Sequence, residues 1–195
     1  AASSVGGAFS ATATAGNITQ NGALTITGTT TLVTIGQGST IDLAANGTGN
    51  AFTSQLLITT NETGSDKDAH TTIDGGTTNL ILGNSTIDGN LTLLSGGTIT
   101  DTNSSTVTVK GTLTATTDAS ASAITLNDLA VDGAFTLAPD GTGAVTIVND
   151  AGLNLAASTM GGTFSGTATT GNITQTGALD IEGVTTLVTI GQGAT

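Results

Sequence analysis

The chain has 195 residues, a net charge of −12, and two basic side chains, Lys67 and Lys110, with no Arg. That balance argues against nucleic acid and anionic membrane surfaces as partners, because phosphate neutralisation needs Lys and Arg, and no apolar run approaches the ~18 residues of a membrane helix. With no Cys, no Trp, no Tyr and 29 Gly, disulfides and thiolate metal sites are excluded, and abundant Thr, Ile and Val with Gly and Asn at turns predict an all-β chain.

In chain order, one short unit recurs: an apolar residue, any residue, Gly, then β-formers. It reads Val5-Gly-Gly-Ala-Phe9, Ile26-Thr-Gly-Thr-Thr30, Ile87-Asp-Gly-Asn-Leu91, Val109-Lys-Gly-Thr-Leu113, Val131-Asp-Gly-Ala-Phe135, Met160-Gly-Gly-Thr-Phe164 and Ile181-Glu-Gly-Val-Thr185. Between Ile26 and Ile87 the unit blurs. A longer repeat overlies it. Residues 157–195 repeat residues 2–40 at an offset of 155, with 29 of 39 positions identical. The chain therefore holds one long repeat, 2–156, and the start of the next.

The differences between copies show a period of two. Thr25 becomes Asp180 and Thr27 becomes Glu182, while Leu24/Leu179 and Ile26/Ile181 are retained. A strand with one dry and one wet face behaves this way. Val5→Met160 reads as an inward exchange, and Asn21→Thr176 and Ser39→Ala194 as surface or turn changes. Seven units of about 22 residues fill the 155-residue repeat, and each can bury its apolar stripe only by stacking on neighbours. The expected fold is a single continuous right-handed parallel β-helix over 1–195, with rungs of about 20–22 residues. A propeller blade or a leucine-rich repeat fits the period less well, and an antiparallel sandwich does not explain the recurring Gly.

The segments Gly16-Asn-Ile-Thr-Gln20, Gly22-Ala-Leu-Thr-Ile-Thr-Gly28, Ile41-Asp-Leu-Ala-Ala45 and Gly49-Asn-Ala-Phe52 resemble the rung pattern of filamentous-haemagglutinin-like adhesins and other giant bacterial β-strand-repeat surface proteins. The resemblance implies a right-handed β-helix, export and a fibre at the cell surface. It brings no catalytic or binding residues.

Few residues offer chemistry. One His (His70) and two Lys leave most nucleophile–base pairs unassembled, so no enzyme, catalytic residue or cofactor is expected. The one charged segment, Asn61-Glu-Thr-Gly-Ser-Asp-Lys-Asp-Ala-His70, reads as a solvated loop between rungs. Glu62, Asp66, Asp68 and His70 offer oxygen and imidazole ligands that could hold Ca²⁺ there, although the spacing is not that of an EF-hand. Asp-Gly steps at Asp74, Asp88, Asp132 and Asp140 read as turns. Thr-x-Thr pairs (12/14, 25/27, 98/100, 106/108, 112/114) read as ordinary outward strand residues, since the change to Asp180 and Glu182 breaks any row that could order ice. Asn-x-Ser/Thr sequons begin at Asn17, Asn46, Asn61, Asn84, Asn90, Asn103 and Asn172, as Thr-rich chance predicts. Both ends read as mid-pattern. The expected role is a structural segment of a secreted or cell-surface filament whose partners are copies of itself. The rival is an adhesin stalk that touches glycans or cells through the loop near 61–70.

Overall fold

A computed structural model describes residues 1–61 and 66–191. The chain winds as a β-solenoid in which each strand pairs in parallel with the strand one coil away. The first coil runs through β1 (Ser3–Val5), β2 (Phe9–Ala13) and β3 (Ile18–Thr19); the second through β4 (Leu24–Ile26), β5 (Thr30–Thr34) and β6 (Ile41–Leu43). After a 3-10 turn at Gly47–Gly49, the third holds β7 (Ala51–Phe52), β8 (Leu56–Thr59) and β9 (Thr71–Asp74). The fourth is β10 (Leu80–Leu82), β11 (Ser85–Ile87) and β12 (Leu91–Ser95), and the fifth β13 (Ile99–Asp101), β14 (Val107–Val109) and β15 (Leu113–Thr117). The sixth has the long β16 (Ile124–Val131) and β17 (Ala134–Ala138), and the seventh β18 (Val145–Asn149) and β19 (Leu153–Leu155). The eighth takes β20 (Ser158–Met160), β21 (Phe164–Ala168) and β22 (Ile173–Gln175), and the ninth β23 (Leu179–Ile181) and β24 (Thr185–Thr189).

Three faces result. Face A consists of β1, β4 and β7, and it returns one repeat later as β20 and β23. Face B is crossed by every coil, and face C runs from β3 to β22. The register places Ile26 over Val5, Leu113 over Leu91 and Phe135 over Leu113. These are the same apolar positions that the short unit repeats, so the expected rung size holds in most coils. The coil from Val145 to Phe164 is tighter, and the one from Ile41 to Thr71 is the widest of those that carry face C. This third-coil expansion carries the charged loop and explains why the short unit blurs there.

Inward and outward residues alternate along the strands, as in the buried–half-buried–buried pattern of β5, β12 and β15. The inward rows of Leu, Ile and Val, with Phe52, Phe135 and Phe164 fully buried, make one continuous core along the axis. Each such side chain contributes about 1.5–3 kcal/mol by leaving water. Thr25, Thr27, Asp180 and Glu182 all face solvent, and Met160 is fully buried, as the copy-to-copy differences predict. Ser39, by contrast, is 5% exposed and closes the turn after β5, where its carbonyl accepts the Thr34 hydroxyl (3.1 Å).

The recurring Gly has a steric cause. Gly111 donates its N–H to Gly89 O (2.9 Å), and a Cβ on Gly111 would lie 2.6 Å from that oxygen. Gly133 stands on Gly111, Gly28 on Gly7, and Gly183 on Gly162, with the same close approach of backbones. The apolar-x-Gly unit is thus a corner at which successive coils touch main chain to main chain. This corrects two of the four Asp-Gly turn readings. Asp140-Gly141 and the Asp74 step are turns, with left-handed Gly141 (φ 55°) and Gly76 (φ 62°), and Asp74 Oδ1 accepts Gly76 N–H (2.8 Å). Asp88-Gly89 and Asp132-Gly133 are stacking corners whose Gly is demanded by the neighbouring coil.

Candidate functional site

A second corner rule emerges on the wet side of the strand starts. Asn17 Oδ1 accepts the N–H of Thr40 (2.8 Å), Asn79 that of Thr98 (2.9 Å), Asn84 that of Thr106 (2.9 Å) and Asn90 that of Thr112 (2.9 Å). Each Asn immediately precedes the first residue of a strand, and each Thr holds the same place one coil on. A short amide side chain here replaces the ladder bond that the bent backbone cannot make. The next residue points in and the one after points out, so Asn-apolar-Thr is the natural spelling of a strand start. Sequons at Asn17 and Asn90 follow from this geometry, a structural origin that chance did not capture; Asn84 follows it with Ser85 as the inward residue.

His70 occupies this same position before β9. Its Nδ1 accepts the N–H of Asn90 (2.9 Å), and its carbonyl accepts Ile41 N–H (3.0 Å). That bond requires Nδ1 to be unprotonated. Around it gather both Lys of the chain. Lys110 Nζ pairs with Asp88 Oδ1 at 2.7 Å, the carboxylate being nearly buried and the ammonium half-exposed. Lys67, in the left-handed region at φ 57°, reaches across two coils to donate to the carbonyl of Lys110. Beneath them Ala69 is fully buried, its carbonyl accepts the Thr60 hydroxyl (3.0 Å), and Thr60 Oγ1 accepts Asp88 N–H (2.9 Å). The corner of coils three to five therefore concentrates the positive side chains of the molecule and its imidazole, anchored by a dry hydrogen-bond network.

Of the residues considered for Ca²⁺, Glu62 lies outside the described residues, while Asp66 and Asp68 are exposed. Among the described residues no three acid or imidazole groups gather at a spacing that could hold a metal ion. Elsewhere the acids collect at edges. A cleft of about 380 Å³ is lined by Asp140, Thr159, Asp180 and Glu182. Asp101, at the end of β13, accepts the N–H groups of Asn127 (2.7 Å) and Asp128 (2.8 Å), and burial pushes its pKa above the usual 3.8 despite those bonds, with the Asp128 charge adding to the rise.

Two features were missed from sequence. Inside coils one to three, Gln20 and Asn50 form a reciprocal amide pair (2.9 and 3.0 Å), and Asn50 also donates to the carbonyls of Leu43 and Asp74. Near the other end, Asn149 is fully buried; its Oδ1 accepts Val131 N–H (2.8 Å) and its Nδ2 donates to Val131 O and Gly152 O. The Thr rows also differ from expectation. Face A is interrupted by Asp180, but on face C Thr72, Thr92, Thr114 and Thr136 stand in register on four successive coils.

Residues 1–59, 68–138 and 142–195 match the family described as repeats of unknown function (DUF5649). The interval between the first two matches contains most of the charged loop. No curated protein and no solved structure matches the chain.

Proposed function

The chain belongs to this DUF5649 family of repeats, and from that premise we propose that it is a structural segment of a secreted, cell-surface filament. The observation that supports this most is the passage from one long copy to the next. β20–β24 hold the residues of β1–β5 one repeat on; β21 and β22 pair in parallel with β18 and β19, Ser158 Oγ of β20 accepts the N–H of Leu137 in β17, and the core runs on through them without a break. Each long repeat thereby adds seven coils to one interior, or about 34 Å of length at ~4.8 Å per strand spacing. Stability in such a stack grows through nearest-neighbour contacts, which suits a load-bearing rod made of copies of itself, joined in one chain or end to end. The likeness to filamentous-haemagglutinin-like adhesins belongs to this proposal, as does the absence of enzymatic activity. Electron microscopy of the chain and of tandem concatemers tests the reading. Rods that lengthen by about 34 Å per added repeat are expected; compact particles of constant size would overturn it.

The rival role, a stalk that contacts glycans or cells through the loop near 61–70, draws support from one observation: the family match passes over residues 60–67, beside the corner where Lys67, His70 and Lys110 converge. Deleting residues 62–65 should leave the rod intact. If that deletion abolished binding of the chain to a glycan array, the adhesive role would stand in place of a purely structural one.

A further inference from the structure

We propose that two copies of this chain join head to tail, the outer edge of the ninth coil taking the first coil of a second copy in parallel register. The inference rests on the rod reading above and names its joint. Among the described residues, four of the five large apolar side chains that stand exposed gather on β24 and its flanks: Val184, Leu187, Val188 and Ile190. Leu187 is 49% exposed, whereas Leu32, the same residue one repeat earlier, is 0% exposed because Ile58 of β8 stacks on it. At the opposite end of the stack the first coil leaves Phe9 half-buried, whereas its copy Phe164 is fully covered where it pairs with Val145 of β18. A hollow of about 370 Å³ opens there onto the core, lined by Phe9, Ala11, Ile18, Leu24, Leu32 and Leu43. The molecule thus carries an apolar edge on one end coil and an apolar recess on the other.

The chain already contains the contact that this joint needs. β21 (Phe-Ser-Gly-Thr-Ala) lies on β18 (Val-Thr-Ile-Val-Asn) with Phe164 opposite Val145, Ser165 opposite Thr146 and Thr167 opposite Val148. β2 differs from β21 at one residue, Ala11 for Gly166. β24 (Thr-Thr-Leu-Val-Thr) carries the outward pair of β18, Thr186 and Val188 for Thr146 and Val148, and keeps an aliphatic residue at the inward centre, Leu187 for Ile147. Setting β2 of a second copy on β24 therefore reproduces the β18–β21 ladder, with Ser10 opposite Thr186 and Ala11 opposite Leu187. Ala11 already meets a leucine, Leu32, on its other side. On face A the same step sets Val5 on Ile181, the copy of Ile26, on which Phe52 stands within the chain. The ninth coil has no described strand on face C, so faces A and B make the joint. Burial of Leu187 with Phe9 and Ala11 favours it, and the net charge of −12 on each copy opposes it until salt screens the repulsion. The two surfaces are unlike, so the contact does not close and repeats into an open filament.

The chain contains no Cys, so introduced thiols report the joint without background. Ser10 lies in the first coil and Thr186 in the ninth, too far apart within one copy for a disulfide; across the joint they stand on neighbouring strands ~4.8 Å apart, within reach. Under mild oxidation a mixture of S10C and T186C should give a covalent dimer, S10C/T186C a ladder of oligomers, and each single variant alone neither. L187D changes a residue that is already exposed, so it should keep the wild-type circular dichroism. It should remove the ladder when added to S10C/T186C, and sediment as a monomer in salt where the wild type associates. Dimers from either single variant alone, or cross-linking undiminished by L187D, would overturn the proposal. So would a wild type that stays monomeric at high salt with no cross-linking. If concatemers then still lengthened by about 34 Å per repeat, the edge would be covered only within one continuous chain and the rod reading would stand; compact concatemers would remove that reading itself.

Discussion

Replacing Gly111 by Ala tests the idea that the recurring Gly exists to let coils touch. The added methyl would sit 2.6 Å from Gly89 O and would also collide with Asn90 Oδ1. Those two oxygens accept Gly111 N–H and Thr112 N–H, both at 2.9 Å. Relief requires the coils to part at this corner, weakening two bonds worth about 1 kcal/mol each and straining a packed interior by roughly 1–3 kcal/mol. The lower entropy of an unfolded Ala returns about 0.4–1 kcal/mol. The expected net loss is about 2–3 kcal/mol, read as a lower urea midpoint by circular dichroism at unchanged slope. Gly6 is the control: nothing lies within 4 Å of a Cβ there, so G6A should be neutral or slightly stabilising. If G111A unfolded within ~0.5 kcal/mol of the wild type, or if G6A lost as much, the steric account of the repeat would be wrong.

Truncating Asn149 to Ala removes the partners of the buried Val131 N–H and carbonyl and of the half-buried Gly152 carbonyl and should cost about 2–4 kcal/mol by the same urea assay. At the charged corner, H70A should remove the acceptor of Asn90 N–H and lower the protection of that amide by about fivefold in hydrogen exchange, near 1 kcal/mol. H70N, which restores the side-chain acceptor found at neighbouring corners, should recover most of that protection. The raised pKa of Asp101 has a defined sign. The fold binds this proton more tightly than the unfolded chain does, so its stabilising contribution is complete below about pH 3.8 and is lost as pH rises through the elevated folded value. The stability of the wild type relative to D101N should therefore improve as pH is lowered through that window, and a flat or opposite trend in paired denaturation curves would refute the assignment.

Much of this architecture is legible in residues. The offset of 155 and the charge-tolerant neighbours of Leu24 and Ile26 announce a repeated, one-sided strand, and the Gly of each apolar-x-Gly unit marks a corner. What eludes the eye is anything that depends on which coil lies next door. Asp88-Gly89 and Asp140-Gly141 are spelled alike, yet one serves close stacking and the other a left-handed turn. Asn90 reads as a sequon until Thr112 is seen one coil above it. Gln20 and Asn50 are 30 residues apart and pair only because the turns before β4 and β7 stack on one another. The charged corner could have been suspected from the gathering of Lys67 and His70, but Lys110 joins them through stacking alone.

The rows of face B carry a final implication. The row that starts at Phe9 passes through Thr30, Leu56 and Leu82, whereas the row that ends at Phe164 rises through Leu80, Ile99, Ile124 and Val145. Phe9 and Phe164 are equivalent, so one repeat slips sideways from Leu82 to Leu80. An even slip preserves parity: every oily side chain still lands indoors. A single-residue insertion within a strand would turn one side of that coil inside out, so lengthening during evolution is confined to corners and bulges, where odd numbers can be absorbed before the next strand begins.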